Sequence, residues 1–407
     1  MKSGSHFLLT ARRCEIAELE DLARTAELVG VIGRFIHALQ RERGLSNVFL
    51  ASHGTRFGAQ RVQQVEECRA AEHEVRAAFA QLDAGAAAAR NGSRLFSRVA
   101  VVVHGLDGLP ALRERVTRQM LSPRDATAAY ARLVAGLLAV VFEAADSATD
   151  PQVSRALVAM FNFMQGKELA GQERALGAAC FAAGAADQGA RQQWRHLIDS
   201  QEACFRVSGD FADPEVLRVD ASTREAAVLA EIERLRRIGC GGAGGALDSD
   251  LSAAWYEACT RRIDAMRRVE DALALHLRQL CEARVAQARS ELRDQKAMLD
   301  ALASAADAPA PDGTPYGPHL ERSVFAMVQE QSRRLQAMSD ELEAARASLN
   351  ERKLVERAKG LLMAHRHLSE DDAYKALRQM AMNQGRRLAD VAEAVLALAE
   401  VLPQGPR

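Results

Sequence analysis

Residues 32–50 read IGRFIHALQRERGLSNVFL. Ile32, Ile36, Leu39 and Arg43 follow in steps of four, three and four, so one face of a helix carries them all. Phe49 and Leu50 extend the apolar pattern beyond them. Arg34, His37 and Arg41 fall on another side, where a surface helix keeps its charges. Arg43 instead lies on the stripe that faces a core, and a guanidinium there needs a partner.

The same period recurs over most of the chain. Of 407 residues, 48% are apolar but only 5% aromatic, with Ala, Leu, Arg and Glu prominent. That mixture favours helices, and no run of alternating β-branched residues argues for strands. The spacing predicts long helices from about residue 20 to 305, broken near ASHGTRFG, NGSRLFS, LDGLP, SPRD, ATDP, SGDFADPE and GCGGAGGALDSD. Long helices with short connections pack as antiparallel bundles, so the expected fold class is all-α. The Gly-rich stretch 239–245 lacks the Gly-Lys-Ser/Thr ending of a phosphate loop and follows no strand.

A net charge of −1 gives the whole chain no polyelectrolyte character, so any nucleic-acid surface must be local. The seven cysteines are odd in number and never paired as Cys-x-x-Cys, which speaks against a disulfide framework or a zinc site. The N-terminus carries no sustained apolar segment, and the longest apolar run, Leu133 to Phe142, is too short to cross a bilayer. A cytoplasmic protein with no membrane contact is expected.

Residues 306–318, ADAPAPDGTPYGP, hold four of the ten prolines and two glycines, and read as a hinge. Beyond it Val324, Val328, Gln331, Leu335, Met338, Leu342, Ala345 and Leu349 alternate steps of four and three, as in a heptad seam. Gln331 would be a register-setting polar residue in a dimeric coiled coil. Three short helices are predicted last, over about 351–366, 369–384 and 387–401. Between 351 and 387 nine Lys or Arg stand against five acids, a local positive patch. Gly360, inside the first helix, costs about 1 kcal/mol relative to alanine and implies either tight helix packing or close approach by a ligand.

This C-terminal stretch resembles an ANTAR domain. The resemblance rests on Ala358 to Met363 (AKGLLM), Ser369 to Tyr374 (SEDDAY), Leu377 to Met382 (LRQMAM) and the final VAEAV. It implies an RNA-binding antiterminator acting as a dimer on stem-loops of a leader mRNA. Candidate RNA contacts are Lys359, Arg378, Arg386 and Arg387, with Tyr374 as the one aromatic available for base stacking. DNA is not expected as the partner.

The segments IHALQRERGLS, GQERALGAACF and WYEACTRRIDAMRRVEDAL resemble the NIT nitrate- and nitrite-sensing domain, over about 24–283. That family implies two four-helix bundles with the anion held between them, and NIT followed by ANTAR is the arrangement of NasR-type antiterminators. Each segment also places one arginine on an apolar stripe. Arg174 follows Met160, Phe163, Lys167 and Ala170, and Arg262 follows Trp255 and Cys259. The planar guanidinium fork suits the oxygen edges of nitrate or nitrite. Arg43, Arg174 and Arg262 are therefore the candidate ligands, with Arg41 dispensable and Arg261 a competitor to Arg262. Buried ion pairs with glutamates of other helices are the alternative.

The sequence thus divides into a tail (1–23), the sensor (24–283), a helix end and hinge (284–318), the heptad helix (319–350), the RNA-binding module (351–401) and a short tail (402–407). The expected function is nitrate- or nitrite-responsive antitermination at a nitrate assimilation operon, by a homodimer without cofactor. A sensor for another small anion or for a protein partner is the alternative. No nucleophile–base motif or redox ligand set suggests an enzyme.

Overall fold

A computed structural model of the chain describes residues 4–82, 88–241, 246–306, 318–366, 368 and 370–401, and every regular element among them is a helix. In order these are α1 (Gly4–Ala51), α2 (Gly58–Ala80), α3 (Ala88–Asp107), α4 (Leu109–Thr117), α5 (Pro123–Ser147), α6 (Pro151–Ala182) and α7 (Gln188–Phe211). They are followed by α8 (Pro214–Thr223), α9 (Ala226–Cys240), α10 (Leu251–Ala306), α11 (Pro318–Arg366), α12 (Glu370–Gln384) and α13 (Leu388–Val401). The helix starts have local causes. Ser122, Asp150 and Asp213 each cap the helix that follows through a backbone N–H, and proline occupies its first turn.

Several boundaries differ from those predicted. Residues 4–23 are no tail, because α1 begins at Gly4 and buries Leu8, Ile16, Leu19 and Leu22 along its length. No break occurs at NGSRLFS, which lies within α3. An unforeseen break follows α6, where Gly184 takes a φ of 65° and closes the helix with bonds back to Phe181 and Cys180.

The chain forms two compact units, Met1–Leu335 and Gln336–Arg407. In the first, α1 packs on α2, α5 and α10, and α3 covers α5. A second group of helices forms around α6 and α10, with α7 on α6 and α8 and α9 on α10. Contacts of α1 with α6 and of α5 with α6 join the two groups. Phe181, Trp194 and Trp255 stack edge to face in the core of the second group.

The second unit begins inside α11, so the division falls within a helix and not at the proline-rich stretch, of which 307–317 lie outside the described residues. The heptad helix and the first helix of the C-terminal module are one continuous helix. Ala358, Leu362, Ala373, Leu377, Ala381, Val391 and Ala392 form the small core of the module. Along the heptad seam Leu335 is 57% exposed, while Ala345 and Leu349 are buried within the chain. Those two positions are already covered and are not free to line a dimer seam. The side chains of Val324, Val328 and Gln331 lie outside the described ones.

Two segments, Gly92–Thr117 and Pro123–Ser147, are long and apolar enough to cross a membrane, contrary to the reading from apolar runs. The second spends its apolar side on the core, burying Tyr130, Val134, Leu137, Leu138 and Val141.

Candidate anion and nucleic-acid sites

All three stripe arginines lie where their helices meet, and their partners divide them. Arg43 is 2% exposed and grips Glu168 of α6 with both arms of its fork, Nη1 to Oε1 at 2.5 Å and Nη2 to Oε2 at 3.1 Å. Glu168 also accepts from the Gln40 and Gln172 amides, each at 2.9 Å. Arg174 is 6% exposed but has only neutral company. Its Nη1 donates to the Thr260 hydroxyl at 2.9 Å, and its guanidinium lies over the Tyr256 ring. Arg262 likewise donates to the Gln201 amide oxygen at 2.9 Å and lies over Phe205. Among the described residues, no carboxylate forms an ion pair with Arg174 or Arg262.

The glutamates beside the motif arginines are committed elsewhere. Glu42 takes the fork of Arg113 and the Tyr130 hydroxyl. Glu173 takes the fork of Arg236, the Trp194 indole N–H and the Gln201 amide. The ion-pair alternative therefore describes Arg43, while the two adjacent glutamates pair with arginines of other helices. Burial pushes the Arg262 guanidinium below its usual range, and neighbouring Arg236 adds to this. Glu173 and Glu233 offset part of this from a distance, and an anion in direct contact would be favoured beside the guanidinium.

The structure brings Arg43 and Arg174 to one crossing, between α1 and α6. A Cβ on Gly171 would lie 2.6 Å from Arg43 Nη2, and one on Gly44 would lie 2.8 Å from Arg174 Nη2. Each guanidinium thus rests against a bare glycine of the opposite helix, and a side chain there would force it to shift. Arg262 engages α7 instead, through Gln201 and Phe205. Cys259, on the same helix, feels both Arg174 and Arg262. The outward arginines behave as surface residues: Arg41 is paired at 3.4 Å with Glu67 and Arg261 at 2.5 Å with Glu225, all more than 40% exposed.

Several residues of this junction escaped the sequence reading. Lys167, wholly buried, donates to Glu270 of α10 at 2.6 Å and to His37 Nδ1 of α1 at 3.1 Å. Lys167 stands on the same stripe as Arg174, a charged residue in an apolar period, and that signal was available. Glu168, Glu270, Tyr256 and Thr260 carried none, because their partners come from helices remote in sequence.

In the second unit, α12 ends at Gly385, whose φ of 59° and bonds from Gly385 and Arg386 back to Met382 and Ala381 make a tight corner. Arg386 and Arg387 are exposed at that corner, but Arg387 pairs with Asp390 at 2.9 Å and Glu351 at 3.1 Å. Arg378 and Tyr374 are half-buried and already engaged by neighbours. Lys359 is buried, which takes it off the open basic patch where the charge pattern had placed it. Gly360 is exposed, and a Cβ there would meet nothing. Tight packing is therefore not its reason.

Comparison with known proteins agrees with both units. Residues 34–278 match the family described as nitrate and nitrite sensing (NIT), and residues 343–396 match the ANTAR domain. The chain is 36% identical over 392 residues to the nitrate regulatory protein of Klebsiella oxytoca, covering 95% of this chain and 93% of that one. Its structure is similar to that of the NasR transcription antiterminator, with a TM-score of 0.63 and 32% identity over 97% of this chain and 99% of that one. The chain belongs to the NIT family of nitrate and nitrite sensors, in the NasR-type arrangement that ends in an ANTAR domain.

Proposed function

We propose that the chain is a cytoplasmic, nitrate- or nitrite-responsive transcription antitermination regulator that acts without catalysis. Anion binding at the α1–α6–α10 junction promotes engagement of leader mRNA hairpins by the ANTAR module and read-through of a nitrate assimilation operon. The observation that carries this is the pair of guanidiniums, Arg174 buried and Arg262 half-buried, held by neutral groups and an aromatic ring each. A flat monoanion supplies the missing charge and matches the fork in shape. Arg43 joins the site from across the α1–α6 crossing. Assembly as a homodimer is part of the proposal, with the exposed Leu335 as a seam residue.

The test is a gel shift of the chain on its own upstream leader RNA, with and without nitrate. Tighter binding in nitrate is expected, and binding indifferent to nitrate and nitrite would overturn the regulation. Linkage adds a reciprocal requirement: RNA must tighten nitrate binding by the same factor.

A further inference from the structure

We propose that Glu168 is a built-in counter-anion, occupying the Arg43 fork until an entering nitrate displaces it. The inference rests on the anion site proposed above and concerns how that site is regulated. At the α1–α6 crossing lie two buried guanidiniums, Arg43 and Arg174, and the one carboxylate bonded there, Glu168, is held by Arg43 alone. A carboxylate and a nitrate present the same planar pair of oxygens to a guanidinium, so one can replace the other on the same two N–H groups.

Glu168 is also held differently from Glu42 and Glu173. Glu42 and Glu173 are each gripped by a fork plus an aromatic donor, Tyr130 or Trp194. Glu168 has two flexible amides instead, Gln40 and Gln172. Gln40 turns its nitrogen to Glu168 and leaves its own Oε1 buried with no hydrogen-bond partner. Amides can rotate and donate to a nitrate oxygen as readily as to the carboxylate, so the exchange conserves hydrogen bonds.

Competition of this kind sets the affinity. Only the fraction of molecules with Arg43 released binds with the full fork, and the apparent affinity falls by that fraction. The self-ligand also supplies a two-position element: carboxylate on Arg43 in the empty sensor, carboxylate moved off in the bound one. Glu168 follows Lys167, whose ammonium is anchored to Glu270 of α10, so movement here is transmitted along α6 to α10.

The experiment is calorimetric titration of the full chain with sodium nitrate, alongside Glu168→Gln and Glu168→Asp. Glu168→Gln keeps the shape and removes the charge, and its nitrate Kd is expected to fall by about tenfold or more. Glu168→Asp keeps the charge but withdraws it by one methylene, which should tighten nitrate binding by a smaller factor and decides the matter if the glutamine variant does not fold. Unchanged or weaker nitrate binding in a folded variant would overturn the role of Glu168. Absence of nitrate binding by the unsubstituted chain would instead overturn the anion site itself, so the two failures are distinguishable.

Discussion

Arg43 of α1 and Gly171 of α6 meet so closely that a methyl group on Gly171 would lie 2.6 Å from the guanidinium. Gly44 and Arg174 repeat the contact in the opposite direction, at 2.8 Å. Each arginine reaches across to a bare glycine of the other helix. This reciprocity makes the crossing a place where one ligand can bear on α1 and α6 together, with α10 reached through Tyr256 and Thr260.

The arginines should separate cleanly by face. Arg41→Ala and Arg261→Ala are expected to retain the rise in Tm produced by nitrate, since their partners are exposed glutamates. Arg174→Ala and Arg262→Ala should lose it. Arg43→Ala should also lose it, and in addition should destabilise the chain by about 3–5 kcal/mol by stranding Glu168 in the interior. Differential scanning fluorimetry with and without nitrate reads all five.

The Lys167–Glu270 pair offers a double-mutant cycle. Both side chains are almost wholly buried, and burial pushes the Lys167 ammonium down while Glu270 draws it back up. Lys167→Met alone should cost about 3–5 kcal/mol in urea unfolding by leaving Glu270 unpaired, less whatever Arg267 restores from 3.6 Å. Lys167→Met with Glu270→Leu should recover most of that loss, since an apolar pair of similar volume needs no counter-charge. No recovery would show that the pair is needed for structure beyond its own charges.

His37 should make the fold acid-sensitive. Burial and the neighbouring Lys167 ammonium of α6, with Arg267 of α10, Arg41 of its own helix and Arg174 of α6, hold its pKa at about 2, against 6.5 ordinarily. The neutral ring is thus favoured in the folded state, and the unfolded chain binds the extra proton below 6.5. Stability is fully present above that value and is lost as the pH falls toward 2. Between about pH 7.5 and about pH 5 the contribution amounts to about 2 kcal/mol. His37→Gln, which keeps an acceptor for Lys167, should show a loss of stability smaller by that amount over the same window in urea titrations.

Gly360→Ala separates stability from binding. Because a Cβ at this position meets nothing, alanine should stabilise α11 by about 1 kcal/mol. Leader-RNA affinity should fall all the same if the bare backbone is there for close approach. A variant that is more stable and binds RNA as tightly would show the glycine to have no part in recognition.

The inward turn of Arg43, the outward turn of Arg41 and the helical character of the chain could all be read from spacing, because the 3.6-residue period is a local property of the backbone. The C-terminal module was legible for the same reason, through short motifs within one stretch of chain. The opposite holds for the partners of the arginines. Glu168 lies 125 positions from Arg43, and Gln201 lies 61 from Arg262, so packing of helices alone brought them together. That Arg43 is charge-balanced while Arg174 and Arg262 are not could not be decided from periodicity, since a stripe specifies which way a side chain faces and says nothing of what faces it. The burial of Lys359 and of Ala345 and Leu349 has the same origin: a helix of suitable pattern can be covered from either side, and the tertiary contacts choose which.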